Sequence, residues 1–294
     1  LVNQLALRLR RRGQTVGIVA VDPTSPFSGG AILGDRIRMR DLAGDAGIFI
    51  RSMATRGSLG GQARATSDVT TVLDGAGFDV VIIETVGAGQ AEVDIARLAH
   101  TVIVAEAPGL GDDVQAIKAG ILEVADVLVV NKSDDPRAGN AVRALRAMLD
   151  LVNGSSTVVR QFDAHHSPLA RLAAGVEAGA DAVDGWEVPI ELTNAVTGEG
   201  VDEVIRRIDA HRAHLLGSGE LERRQRARAL AELDVWLRDA LLADLLRRVP
   251  PEQIAQLVER IVARDLMPRQ AALALIESQA AAHHESPSGR ERGD

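Results

Sequence analysis

The chain has 294 residues, with 33 Lys and Arg against 41 Asp and Glu, a formal net charge of −8. At 46% hydrophobic and 25% charged residues it has the composition of a packed globular protein with room for one large α/β domain and an appendage. The absence of cysteine excludes a disulfide scaffold, a thiolate zinc site, an iron–sulfur cluster and a cysteine nucleophile, and agrees with the cytoplasm as compartment. No run approaches the roughly 18 apolar residues of a membrane span. The acidic balance, with four Phe, two Trp and no Tyr, leaves neither the cationic surface nor the stacking platforms that nucleic acids require.

In chain order, Val2, Leu5, Ala6 and Leu9 follow helical spacing from the first residues, so the chain opens inside a helix with no capping residue ahead of it. That reads as an N-terminal truncation. Thr15 to Val21 is then a short continuous apolar run, as in strands buried on both faces of a parallel sheet. Similar runs recur at Gly47 to Ile50, Asp79 to Ile83, Thr101 to Ala105, Asp126 to Val130 and Val188 to Leu192, with intervals long enough for crossover helices. The alternation predicts a doubly wound, mainly parallel α/β domain over 1–217. Beyond it Leu230, Leu233, Leu237, Leu241 and Leu245 mark one apolar helix face. A second helix is expected from Pro250-Pro251 and a third from about Arg269 to Ala282, making a helical arm over 218–283 that suits either a core lid or dimerisation. Residues 284–294, rich in Ser, Gly, Pro and charge, are expected to be disordered.

Three segments carry chemistry. Asp126 to Val130 runs directly into Asn131-Lys132-Ser133-Asp134. A carboxylate at Asp134 accepts from both the ring N–H and the exocyclic amine of guanine, whereas adenine would leave it without those donors. Asn131 would tie the base loop together and Lys132 would lay its stem along the purine; a polar turn after a strand is the bland alternative. Asp22, at the end of the first strand run, and Asp35, after the glycine-rich Gly29 to Gly34, are two carboxylates suited to Mg²⁺ beside nucleotide phosphates, although Asp22 before Pro23 also makes a simple turn. Glu84, ending the third run, is followed by Gly87, Gly89 and Gln90. Glycines there let the backbone approach a phosphate, Glu84 can hold a metal-bound water and Gln90 can orient an attacking water. The seven histidines show no metalloprotease spacing, Arg8, Arg10, Arg11 and Arg12 read as a solvated helix end, and no Gly-x-Ser-x-Gly elbow occurs.

These segments, together with Gly57 to Gly61, Gly111 to Gly120 and Ala195 to Gly200, resemble the MeaB/ArgK group of G proteins, chaperones associated with methylmalonyl-CoA mutase. The resemblance runs from Leu1 to about Gly217 and more weakly through the helical tail. It implies a Mg²⁺-dependent GTPase that forms a homodimer and docks on a B12-dependent acyl-CoA mutase, where GTP turnover gates cobalamin loading and protects the enzyme. It implies that Asp22, Asp35 and Glu84 arrange the metal, that Gly87 to Gln90 form a switch, and that Gln115 and Lys118 lie in a second mobile segment. Asn131, Lys132 and Asp134 would read guanine, with Asn194, Ala195 and Val196 closing over the base. The chain departs from the pattern by lacking the phosphate loop Gly-x-x-x-x-Gly-Lys-[Ser/Thr] and the helical N-terminal extension, and by having Ala91 and Asn194 where serine is usual. Without the loop, weak GTP binding and little hydrolysis are expected of the chain as written. A nucleotide-free interaction module of the same fold and a nickel-insertion chaperone GTPase are the competing readings; a kinase for amino-acid transport proteins is the weakest.

Overall fold

The structure, a computed structural model, describes residues 1–22, 39–42, 44–54, 59–85, 93, 95–109, 124–154 and 185–284. These fall into two compact units, the first holding all described residues up to Arg228 and the second those from Ala229.

In the first unit, helix α1 (Val2–Arg11) buries Leu5, Ala6 and Leu9 and ends where Gly13 adopts a positive φ. Strand β1 (Val16–Asp22) pairs in parallel with β2 (Ile48–Ala54) on one side and β3 (Val80–Thr85) on the other. Strand β5 (Val127–Val130) is likewise flanked in parallel by β4 (Ile103–Glu106) and β6 (Ile190–Leu192). All six expected runs are strands. Helices α2 (Leu59–Gly75), α3 (Ala138–Gly154) and α4 (Val201–Gly217) occupy intervals between strands or follow the last of them.

Both central strands are buried on two faces, and the pleat sorts their side chains. Val16 and Ile18 of β1 join Val127 and Val129 of β5 in one core with Leu5 and Leu9 of α1 and Val201, Val204 and Ile205 of α4. Val19 and Val21 meet Leu73 of α2, and Leu128 and Val130 meet Ala138 and Leu145 of α3. Helices therefore cover both faces, as the doubly wound reading requires. At Gly17 an added Cβ would stand 2.9 Å from Leu73, so glycine lets α2 approach the sheet.

The second unit contains most of α5 (Glu220–Arg248), together with α6 (Pro251–Val262) and α7 (Pro268–His284). Pro251 at the start of α6 suits the first helical turn, where its missing N–H has no helical role. No described helix is long and apolar enough to cross a membrane.

The reading of the α1 arginines as a solvated end is corrected for Arg8 and Arg10, which are part-buried, whereas Arg12 stays exposed in a surface ion pair. Arg10 makes bonds to Asp45, Arg12 pairs with Asp209, and Arg8 pairs with Asp202. Burial of the apolar face of α1 brings this basic edge against carboxylates distant in sequence.

Candidate functional site

Parallel pairing within two three-stranded sheets sets the end of β1 beside that of β3, and the end of β4 beside that of β5; the carboxyl ends of strands are where open α/β sheets bind ligands. Asp22 ends β1, and Glu84 is half-buried on β3, in register with Ala20. Glu106, not singled out in the sequence, ends β4; its burial raises the carboxyl above its ordinary value. The Asn131 backbone N–H donates to the Glu106 backbone carbonyl at 2.7 Å, so the Asn131 to Asp134 segment leaves its sheet beside the end of β4. Asp35, Gly87, Gly89, Gln90, Gln115 and Lys118 lie outside the described residues, as do residues 285–294.

At the tip of β5 the chain turns through Lys132, whose φ of 58° is left-handed. The Ser133 N–H bonds to Thr193 O, and Thr193 N–H bonds back to Val130 O, so this turn rides on the end of β6. Asn131 Oδ1 accepts from the Ala195 N–H at 2.9 Å and from the Thr193 hydroxyl at 3.3 Å. Asn194 donates from Nδ2 to Asp134 Oδ1 at 2.8 Å, while its own Oδ1 accepts from the N–H groups of Val196 and Thr197. Asn131, Asp134, Asn194 and Ala195 are thus brought together by two loops 60 residues apart in sequence. Val196 is 89% exposed at the tip of the second loop, an apolar side chain open to a planar ligand.

An ionised carboxylate offers about four lone-pair positions. With one taken by Asn194, Asp134 retains capacity for two further donors, the number that the guanine edge presents. Asp134 also lines an open groove of about 720 Å³ with Ser133, Leu192, Glu199 and Arg206, a size in the range of small-molecule sites. Just beyond, Asp135 caps the start of α3: it accepts from the Arg137 guanidinium and backbone N–H, which hold its carboxyl at about 2. This fixes the segment that carries Asp134.

A second polar cluster, unanticipated from sequence, lies at the other end of β5. Asp126 is buried, accepts from Val102 N–H at 2.8 Å and faces Arg224 of α5 at 3.4 Å. His211 of α4, fully buried, brings Nε2 to 3.2 Å from Asp126 Oδ1, a bent contact at ion-pair distance, and its Nδ1 is 2.9 Å from the Thr101 hydroxyl. Burial works to raise the Asp126 carboxyl, but the imidazole, the Arg224 charge and the backbone donor outweigh it and hold it below its ordinary value. Among the described residues no group of three or more His, Asp or Glu has the arrangement of a metal centre.

The model of the methylmalonyl-CoA mutase-associated GTPase family MeaB matches residues 1–249. The chain belongs to the MeaB family. It is 40% identical over 272 residues to a putative GTPase of Pyrococcus abyssi, covering 92% of this chain and 76% of the relative. It is 38% identical over 206 residues to the GTPase ArgK of Escherichia coli, covering 70% of this chain and 61% of that protein. A crystal structure titled LAO/AO transport system kinase shares the fold, with a TM-score of 0.60 at 24% identity over 94% of this chain and 76% of that one. Within the MeaB family the chain is a GTPase, and the Asn131 to Asp134 segment falls inside the matched residues.

Proposed function

We propose that this MeaB-family GTPase is a chaperone that gates cobalamin loading of a B12-dependent acyl-CoA mutase and protects it from inactivation. The observation that carries the nucleotide half of this reading is the convergence of Asn131, Asp134, Asn194 and Ala195 at the tip of β5. Asp134 accepts the two donors of the guanine edge, Asn131 holds the Ala195 amide in place, Lys132 lies along the purine, and Val196 covers it. The family description, mutase-associated, supports the partner class.

Asp22, Asp35 and Glu84 are hard carboxylate donors of the kind Mg²⁺ takes, and Glu84 sits half-buried on the ligand rim, so the donor chemistry fits. When bound, the ion neutralises phosphate charge. Gln90 orients the attacking water, and Gly87, Gly89, Gln115 and Lys118 belong to segments that respond to nucleotide and partner. The arm over 218–283 forms a homodimer; exposed Trp236, Leu237, Leu241 and Leu242 of α5 supply apolar surface for it. The compartment is the cytoplasm.

The test is titration of a fluorescent GTP analogue with Mg²⁺, with ATP as competitor, into this chain and into one extended upstream through the expected phosphate loop, followed by capture with a purified cobalamin mutase. ATP-resistant binding by the extended chain and nucleotide-dependent capture are expected. Binding by neither chain overturns the GTPase-switch reading; nucleotide binding without mutase capture overturns the chaperone reading.

A further inference from the structure

Arg8 lies on α1, far in sequence from the base-reading loops, yet its side chain is only 14% exposed. Its guanidinium is used in three directions: Nε donates to Asp202 Oδ1 at 2.9 Å, one terminal nitrogen to Gly198 O at 2.5 Å, and the other to Gln4 Oε1 at 2.7 Å. Asp202 is in the first turn of α4, and Gly198 closes the turn that starts at Asn194, through Gly198 N–H to Asn194 O and Asn194 N–H to Glu199 O. At its near end that turn is held by Asn131 and Asp134. At its far end it is held by Arg8.

Thr193 before the turn and Val201 after it are buried, but Val196 and Thr197 at its tip are exposed and their N–H groups bond only to Asn194. Gly198 and Arg8 are also shaped to one another. Gly198 has a φ of +84°, and an added Cβ would lie 2.7 Å from the Arg8 guanidinium and 2.8 Å from Gln4 Oε1. A planar fork with several donors can serve a carbonyl, a carboxylate and an amide oxygen together; an ammonium group at the end of a lysine cannot span all three. One further ion pair between the same two helices, Arg12 with Asp209 at 2.8 Å, does not touch the turn.

We propose that Arg8 is a positioning residue for guanine recognition, clasping the 194–199 turn to α1 so that Asn194 and Ala195 stay in register with Asp134 and Asn131. The inference rests on the guanine reading given above and adds to it a residue that touches no base. In consequence α1 and the base-closing turn move as one body, and a displacement of α1 is felt at the purine edge.

The test compares wild type, Arg8→Ala, Arg8→Lys and Arg12→Ala of the full chain by amide hydrogen exchange without ligand. Loss of a hydrogen bond to a charged group predicts about tenfold faster exchange over 195–198 in Arg8→Ala, an intermediate change in Arg8→Lys and none in Arg12→Ala, with Val127 to Val130 unchanged in all. Turn amides that keep the wild-type rate in Arg8→Ala, or that accelerate equally in Arg12→Ala, overturn the proposal. The same substitutions, made in the chain extended upstream through the phosphate loop, are titrated with fluorescent GDP and ADP, where Arg8→Ala is expected to lower the GDP-over-ADP preference about tenfold and Arg12→Ala to keep it. A loosened turn with unchanged preference removes the positioning role. An extended wild-type chain with no preference for GDP defeats the guanine reading itself, and the exchange rates then still report whether Arg8 holds the turn.

Discussion

At one end of β5, Asp126 and His211 are shut away from water, and the carboxylate meets an arginine, an imidazole and a backbone N–H. At the other end, a few residues on, Asp134 is exposed and meets a single amide, with capacity left over. The intervening Val127 to Val130 are all buried and identical in burial. The difference is one of completeness: a buried charge must be fully partnered to be tolerated at all, whereas an exposed carboxylate can keep lone pairs in water until a ligand takes them. The first arrangement holds β5 to α4 and to the first turns of α5, and the second is available for recognition.

Four expected outcomes sharpen or break this contrast. The largest is at the buried end: Asp126→Ala leaves Arg224 and His211 facing an empty space, and should cost about 3–5 kcal/mol of stability in urea unfolding. A loss below about 1 kcal/mol would mean that the cluster is solvated and the contrast false. At the open end, Asp134→Asn should leave the unfolding midpoint nearly unchanged while, in the chain extended through the phosphate loop, weakening guanine-nucleotide binding roughly 10–100-fold and improving xanthosine-nucleotide binding, because an amide now opposes guanine's donors. Unaltered GDP affinity in titration calorimetry would remove the base-reading role. Smaller again is Asn194→Ala, which frees Asp134 Oδ1 and two turn amides; a loss of about 1 kcal/mol in nucleotide binding is expected, seen as a roughly fivefold weaker Kd.

The smallest effect concerns acid. Because the folded carboxyl of Asp126 lies below its unfolded value of about 3.9, its contribution is fully present above that value and is lost as pH falls through the lower folded one. Thermal unfolding followed from pH 7 to pH 3 should show wild type losing stability below about pH 4, with a shallower acid limb in Asp126→Asn. Parallel curves for the two proteins would assign the acid limb to other carboxylates, such as Asp135.

Much of the fold is legible in the residues. Strands covered on both faces have no polar side to display, so β1 and β5 read as unbroken apolar runs, and Pro250-Pro251 and the spacing after Pro268 mark α6 and α7. The place of the Asn131 to Asp134 segment is legible for the same reason: a buried strand that runs straight into Asn-Lys-Ser-Asp puts those side chains at the strand's carboxyl end. What escapes is partner choice. Asn194 stands in sequence as a departure from serine, yet it is the residue that bonds Asp134. His211 has no informative spacing to any carboxylate along the chain, since its partner Asp126 is on another element.

The sequence by itself determined the parallel α/β architecture, the family and the Asn-Lys-Ser-Asp motif at the tip of β5, because burial periodicity and short contiguous motifs are local properties. Only the tertiary structure decided that Arg8 belongs to the Gly198 turn rather than to solvent, and that Asp126 has His211 and Arg224 as partners. Those pairings join positions about 85 to 194 residues apart. Their geometry is set by how α1, α4 and the first turns of α5, up to Arg228, pack within the first unit, a long-range outcome that no local pattern along the chain encodes.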